Sequence, residues 1–182
     1  MNSTDISRAL MRHFRLEGRC PIAPSIILPH GYEADVAAVM EKSKYLTEYE
    51  IKCSIADFRA DFKKSMRAFT TGDSNLKHDT LAHRKHGQSH PAKGKTGKKF
   101  WTPNYFYFVA EVGILPLKEI PEHAGLIELS WNKYWPLEVD IKVIKKAPLL
   151  HKDRVGGDEK VVQAFLRRLS NIAAYGSSHT PN

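Results

Sequence analysis

Apolar residues recur at helical spacing near the start of the chain, where Ile6, Ala9, Leu10 and His13 or Phe14 mark one face of a helix that Ser3 or Thr4 can cap and Gly18 ends. Ser25-Ile26-Ile27-Leu28 then reads as a short strand closed by Pro29 and Gly31. Asp35 to Met40 and Tyr45 to Cys53 flank the polar Glu41-Lys42-Ser43-Lys44 and predict a hairpin. In its second strand Tyr49, Ile51 and Cys53 alternate with Glu48, Glu50 and Lys52, so one face is apolar and the other charged.

Ser54 offers an N-cap with Asp57 three positions on, and Ile55, Phe58, Phe62, Met66 and Phe69 form a 3.6-period stripe that predicts an amphipathic helix. Leu76 to His86 predicts another helical piece, and Gly87 to Lys99 an exposed loop. Tyr105 to Ala110 is an unbroken apolar run suited to a central strand buried on both faces. Ala124 to Leu129 predicts a further strand, and Leu137, Val139, Ile141 and Val143 a half-exposed one. Asp158 opens a last helix with Val162, Phe165, Leu166, Leu169 and Ile172 inward, and Gly176 ends it.

The connection from Cys53 to Tyr105 is long enough to be a crossover, which makes those two strands parallel. The expected fold is α/β, a mixed sheet sandwiched between helices with an αβββαβ core. At 182 residues and 20.7 kDa the chain suits a single domain over residues 1–176, with a basic insertion at about 77–100 and a tail at 177–182. Cys20 and Cys53 form no CxxC pair, and free thiols in a reducing compartment are expected. The absence of a long apolar run and of a basic-then-apolar leader leads to the expectation of a soluble, cytoplasmic chain without a membrane partner.

The net charge of +8 favours a polyanionic partner, and most of it is local. Lys77 to Lys99 holds seven basic residues against Asp79 alone, a contribution of +6. Arg84, Lys85, Lys93, Lys95, Lys98 and Lys99 are the expected phosphate contacts, with Phe100 and Trp101 adjoining as stacking groups.

A hairpin turn centred between Lys42 and Ser43 sets Asp35 opposite Glu50, with Cβ atoms about 5 Å apart and Lys52 roughly 6.7 Å further along the same face. Two carboxylates so close raise one another's pKa unless a cation lies between them. Mg²⁺ fits that demand, with Asp35, Glu50 and the backbone carbonyl of Ile51 as ligands and phosphate oxygens completing the shell. It would acidify a water and neutralise a phosphoryl oxygen, while Lys52 orients or deprotonates that water or stabilises the transition state. Charges alternating with apolar residues equally describe a solvated sheet face, and a short triplet occurs by chance in many chains.

Asp35, then fourteen residues, then Glu50-Ile51-Lys52 resembles the PD-(D/E)XK nuclease superfamily. The run from Tyr49 to Asp61 is similar to small bacterial and phage members, MmcB-type DNA-repair proteins among them, in which the E-x-K strand enters a helix beginning S-x-x-D-F-x-x-D. Ala34 stands where the superfamily often has proline, and the basic stretch has no counterpart in the compact relatives. The resemblance implies a restriction-endonuclease-like core and a metal-dependent deoxyribonuclease of phage or bacterial DNA repair. It implies Mg²⁺, which Mn²⁺ replaces in such sites, bound by Asp35 and Glu50, with Lys52 serving the water. Double-stranded DNA is the implied substrate, and a homodimer would pair two sites that each cut one strand. The competing expectation is a catalytically inactive nucleic-acid-binding protein on the same scaffold.

Glu33 or Glu17 are further acidic candidates, though structural pairing suits them better. Asp57 and Asp61 read as capping and surface pairing with Arg59 and Lys64. His78, His83, His86 and His90 lack the cysteine or HExxH context of a zinc site, and Gly94-Lys95-Thr96-Gly97 lacks the first glycine of a phosphate loop.

Overall fold

A computed structural model describes residues 2–29, 32–63, 65–67, 74–82, 102–131 and 139–176. The first helix, α1 (Ser3–Leu16), is capped by Asn2, not by Ser3 or Thr4: Asn2 Oδ1 accepts from the Asp5 N–H at 2.9 Å. Its buried stripe is Ile6, Ala9, Leu10 and Phe14, as the spacing requires. The first strand, β1 (Arg19–Ile27), is longer than Ser25 to Leu28 and contains Pro21 and Pro24. It lies at a sheet edge, where a residue without an N–H costs no ladder bond.

The hairpin forms as β2 (Glu33–Met40) and β3 (Leu46–Ile51). Then come α2 (Ile55–Asp61), a short antiparallel pair β4 (Ser65–Arg67) and β5 (Ser74–Leu76), and α3 (Lys77–Ala82). Helix α2 stops well short of Phe69, because Met66 belongs to β4 and pairs with Asn75; strand pairing overrides the helical period there. The chain continues through β6 (Tyr105–Glu111), β7 (Gly125–Trp131), β8 (Val139–Lys145) and α4 (Glu159–Tyr175).

Among the described residues one mixed sheet runs β1-β2-β3-β6-β7-β8. Strands β3 and β6 are parallel, as the long crossover dictates, and β6 also pairs in parallel with β7; the other contacts are antiparallel. One face carries Val36, Ala38, Tyr49, Ile51, Val109 and Ile127 against α1. The opposite face carries Phe106, Phe108 and Leu126 against Phe58 of α2 and Leu81 of α3, while Ala37, Val39 and Leu46 pack on Val161 and Phe165 of α4. The fold is an α/β sandwich.

Helix α4 docks by a different face from the one its sequence suggests. Val161, Phe165 and Arg168 are buried, whereas Val162, Leu166 and Leu169 are exposed. Two apolar stripes overlap on this helix; the one that docks carries Val161 and Phe165 into the core, and on the same face the Arg168 Nε–H donates to the Pro24 carbonyl at 2.9 Å.

Candidate functional site

The register of β2 on β3, from Val36 opposite Tyr49 to Val39 opposite Leu46, is the one set by a turn centred between Lys42 and Ser43. Continued by one residue, it places Asp35 beside Glu50 where β2 begins and β3 ends. The turn is fastened from outside: Gly156 donates its N–H to the Lys44 carbonyl at 2.9 Å, and a Cβ there would lie 2.6 Å from Val39 Cγ1.

Asp35 Oδ2 accepts a 2.7 Å hydrogen bond from the Ile51 N–H, and Oδ1 makes none to a described residue. The contact from Ile51 is thus through its amide. Burial, then the neighbouring Glu50 charge, push the Asp35 carboxyl from its ordinary range up to about 6, against the Ile51 bond and the lysines. The site residues Asp35, Glu50 and Lys52 are therefore gathered at one place.

The charged face of β3 is not solvated: Glu48, Glu50 and Lys52 are buried. Lys52 Nζ donates to Glu50 Oε1 and Asp61 Oδ1, both at 2.9 Å. Lys77, the first residue of α3, reaches Glu48 Oε1 at 2.7 Å and Glu50 Oε2 at 3.0 Å. Burial works against the Lys77 charge, but Glu48 and Glu50 outweigh it and hold its pKa above the ordinary lysine value. His78 Nε2 lies 2.8 Å from Asp61 Oδ2, and its Nδ1 lies 3.1 Å from His123 Nε2. Burial first, then His78 and Lys145, lower the His123 pKa to about 4, so its ring is neutral at physiological pH.

Asp61 is fully buried and holds Lys52, which overturns its reading as a surface pairing residue; Arg59 pairs instead with Glu119. Asp57 keeps its capping role, its N–H donating to Ser54 Oγ. Lys77 is neutralised within the core and leaves the pool of cations available to a phosphate backbone. Glu33 is exposed and Glu17 pairs with His13, so neither adds to the site. The expected phosphate contacts Arg84, Lys85, Lys93, Lys95, Lys98 and Lys99 lie outside the described residues, as do Phe100, Trp101, His83, His86 and His90.

Sequence reasoning missed Glu48, Asp61, Lys77, His78 and His123. The i, i+2, i+4 alternation of Glu48, Glu50 and Lys52 was the available signal for the first. For the others, contact is created by the return of α2 and α3 over the sheet, which no local pattern encodes.

Four carboxylates, Asp35, Glu48, Glu50 and Asp61, thus meet two ammonium groups, a formal excess of two negative charges in a largely buried site. Among the described residues no group of three or more His, Cys, Asp or Glu side chains is arranged to hold a metal. Asp35 and Glu50 nevertheless suit a hard cation. Each Glu50 oxygen carries an ammonium bond, and the Asp35 carboxyl is raised partly by an adjacent like charge that a cation would offset.

No family model matches the chain, and no curated protein matches it. A solved structure of a protein of unknown function from Silicibacter pomeroyi is similar, with a TM-score of 0.57 and 18% identity, covering 96% of this chain and 92% of that one. The likeness is one of fold. No helix among the described residues is long and apolar enough to cross a membrane.

Proposed function

We propose that this chain is a Mg²⁺-dependent nuclease that hydrolyses DNA phosphodiester bonds, with Asp35 and Glu50 as metal ligands and Lys52 as the group that serves the attacking water. The carrying observation is the meeting of Asp35 and Glu50 from adjacent strands, with the Lys52 ammonium 2.9 Å from Glu50. Mg²⁺ there would supply positive charge to the scissile phosphoryl group and make a water more acidic.

The chain's own residues do the positioning. Ile51 N–H orients Asp35, Asp61 fixes Lys52 on the Glu50 side, and His78, backed by His123, orients Asp61. Lys77 holds Glu48 and Glu50 together despite their like charge. Such preorganisation spares reorganisation during the reaction.

One observation favours a second reading, a catalytically inactive nucleic-acid-binding protein on the same scaffold. Both Glu50 oxygens are engaged by buried ammonium groups, and Lys52 is only 1% exposed, so metal and water must compete for a site that is already hydrogen-bonded.

Plasmid nicking with Mg²⁺ and with chelator separates the two. Cleavage that needs Mg²⁺ and falls at least 100-fold, on the order of the loss of a catalytic group, in Asp35→Asn supports the nuclease. Asp35 is the clean position because it is half-buried and asparagine keeps the acceptor for Ile51. Gel retardation without cleavage at any Mg²⁺ or Mn²⁺ concentration favours the binder.

A further inference from the structure

Two neighbouring cavities lie near Asp35, which lines the smaller. The smaller, of about 140 Å³, lies between the first turns of α1 and the β1–β2 edge, with Ser7, Arg8, Asp35, Ile51 and Arg168 in its wall. The larger, of about 510 Å³, lies between α4 and the end of β1, with Lys160, Arg167 and Arg168 in its wall and Glu33 as the acidic residue. Ser25 and Arg168 line both, so the two are adjacent.

Three features mark this groove as a binding surface. First, its charge: Arg8, Lys160 and Arg167 are exposed, and no hydrogen bond or ion pair to another described residue occupies their side chains. Second, its fixed centre: Arg168 is 6% exposed, lines both cavities, and is held by its Nε–H bond to the Pro24 carbonyl. Ser7 Oγ, in the same wall as Asp35, is enclosed and has no hydrogen-bond partner among the described residues. Third, its backbone: Ser25, at the junction, has φ of 45°, a left-handed conformation uncommon for a residue with a Cβ, and the β1–β2 ladder skips the Ser25–Asp35 pair.

Glu50 and Lys52 are buried under α2 and α3, whereas Asp35 is reached from this groove. A phosphodiester approaching Asp35 along it meets cations before and beyond the carboxylate. We propose that this groove carries one strand of a DNA substrate, with Lys160, Arg167 and Arg168 on phosphates to one side of the scissile bond and Arg8 on a phosphate to the other. The inference rests on the nuclease reading for its direction, and it places the substrate path between α1 and α4.

The experiment is fluorescence anisotropy with a fluorescein-labelled DNA duplex and its single strand, in chelator so that binding is read without cleavage. Arg8→Ala, Lys160→Ala and Arg167→Ala, singly and combined, are compared with a combined alanine variant of Lys93, Lys95, Lys98 and Lys99. The three groove residues are exposed, so their substitution leaves the fold intact, and circular dichroism verifies it. The combined groove variant is expected to bind at least 10-fold more weakly, with the log–log salt slope reduced by about 0.9 for each phosphate no longer neutralised. Unchanged affinity and slope in the groove variants overturn the inference, as does loss of binding confined to the Lys93–Lys99 variant or no binding by the unaltered chain. If groove variants lose binding while no condition yields cleavage, the groove stands and the nuclease reading falls. If cleavage is robust and groove variants keep their affinity, the reverse holds.

Discussion

Asp35 Oδ2 accepts a hydrogen bond from the N–H of Ile51, the residue between Glu50 and Lys52, at 2.7 Å. This bond ties the start of β2 to the end of β3 and so joins the two halves of the candidate site. It also partly offsets a burden, since the Asp35 carboxyl is desolvated and beside Glu50.

That burden has a signature in stability. With the Asp35 pKa raised to about 6, the folded chain retains a proton that the unfolded chain has already released. The group therefore adds stability below its unfolded pKa, and the contribution disappears as pH rises through about 6. Asp35→Asn is expected to be more stable than the unaltered chain by about 1–2 kcal/mol above roughly pH 7 in chelator, with the gain vanishing below about pH 4. Urea midpoints across that range check it, and a pH-independent difference would contradict it.

His123 acts with the opposite sign. Its pKa is lowered to about 4, so between there and the ordinary histidine value the unfolded chain binds more protons than the folded one. Stability is then fully present above about pH 6.5 and is lost as pH falls through about 4, by about 2 kcal/mol after allowance for relaxation. His123→Gln should flatten this limb of the profile. An NMR titration placing the His123 ring near the ordinary histidine value would remove its basis.

Lys77 is expected to behave as a core residue despite its type. Lys77→Met leaves Glu48 and Glu50 buried without a counter-charge between them and should cost about 3–5 kcal/mol in urea unfolding. A cost below about 0.5 kcal/mol, the range of ordinary surface substitutions, would show that the network is solvated. The same logic applies to Lys52, which bridges Glu50 and Asp61, so loss of activity in Lys52→Ala must be read beside its unfolding curve.

Gly156 fixes the turn that fixes the register. Gly156→Ala would bring a methyl group to 2.6 Å from Val39 Cγ1 and 2.7 Å from the Lys44 carbonyl oxygen. A destabilisation of about 1–3 kcal/mol is expected from this overcrowding. Gly157→Ala, whose nearest neighbour would be Lys44 Cβ at 3.9 Å, is the matched control and should be near neutral.

The alternation of Tyr49 and Ile51 with Glu48, Glu50 and Lys52, and the length of the turn at Lys42 and Ser43, determined the hairpin register and hence the meeting of Asp35 with Glu50. Strand period is two, and a hairpin leaves little freedom in pairing, so this part of the site was local information. The parallel pairing of β3 with β6 was legible for a similar reason, because a long crossover excludes a hairpin.

Only the tertiary structure decided the environment of that pair. Whether a strand's charged face meets water or helices depends on where α2 and α3 land, and they bring Asp61 onto Lys52, Lys77 onto Glu50 and His78 onto Asp61 across nine to twenty-seven residues of chain. The choice between the two stripes of α4 was likewise settled by packing, since Val161 with Phe165 and Val162 with Leu166 have the same period and what distinguishes them is the docking of the first pair on Ala37, Val39 and Leu46, with Arg168 bonded to Pro24. Periodicity states which residues share a face; burial of that face is a property of what covers it.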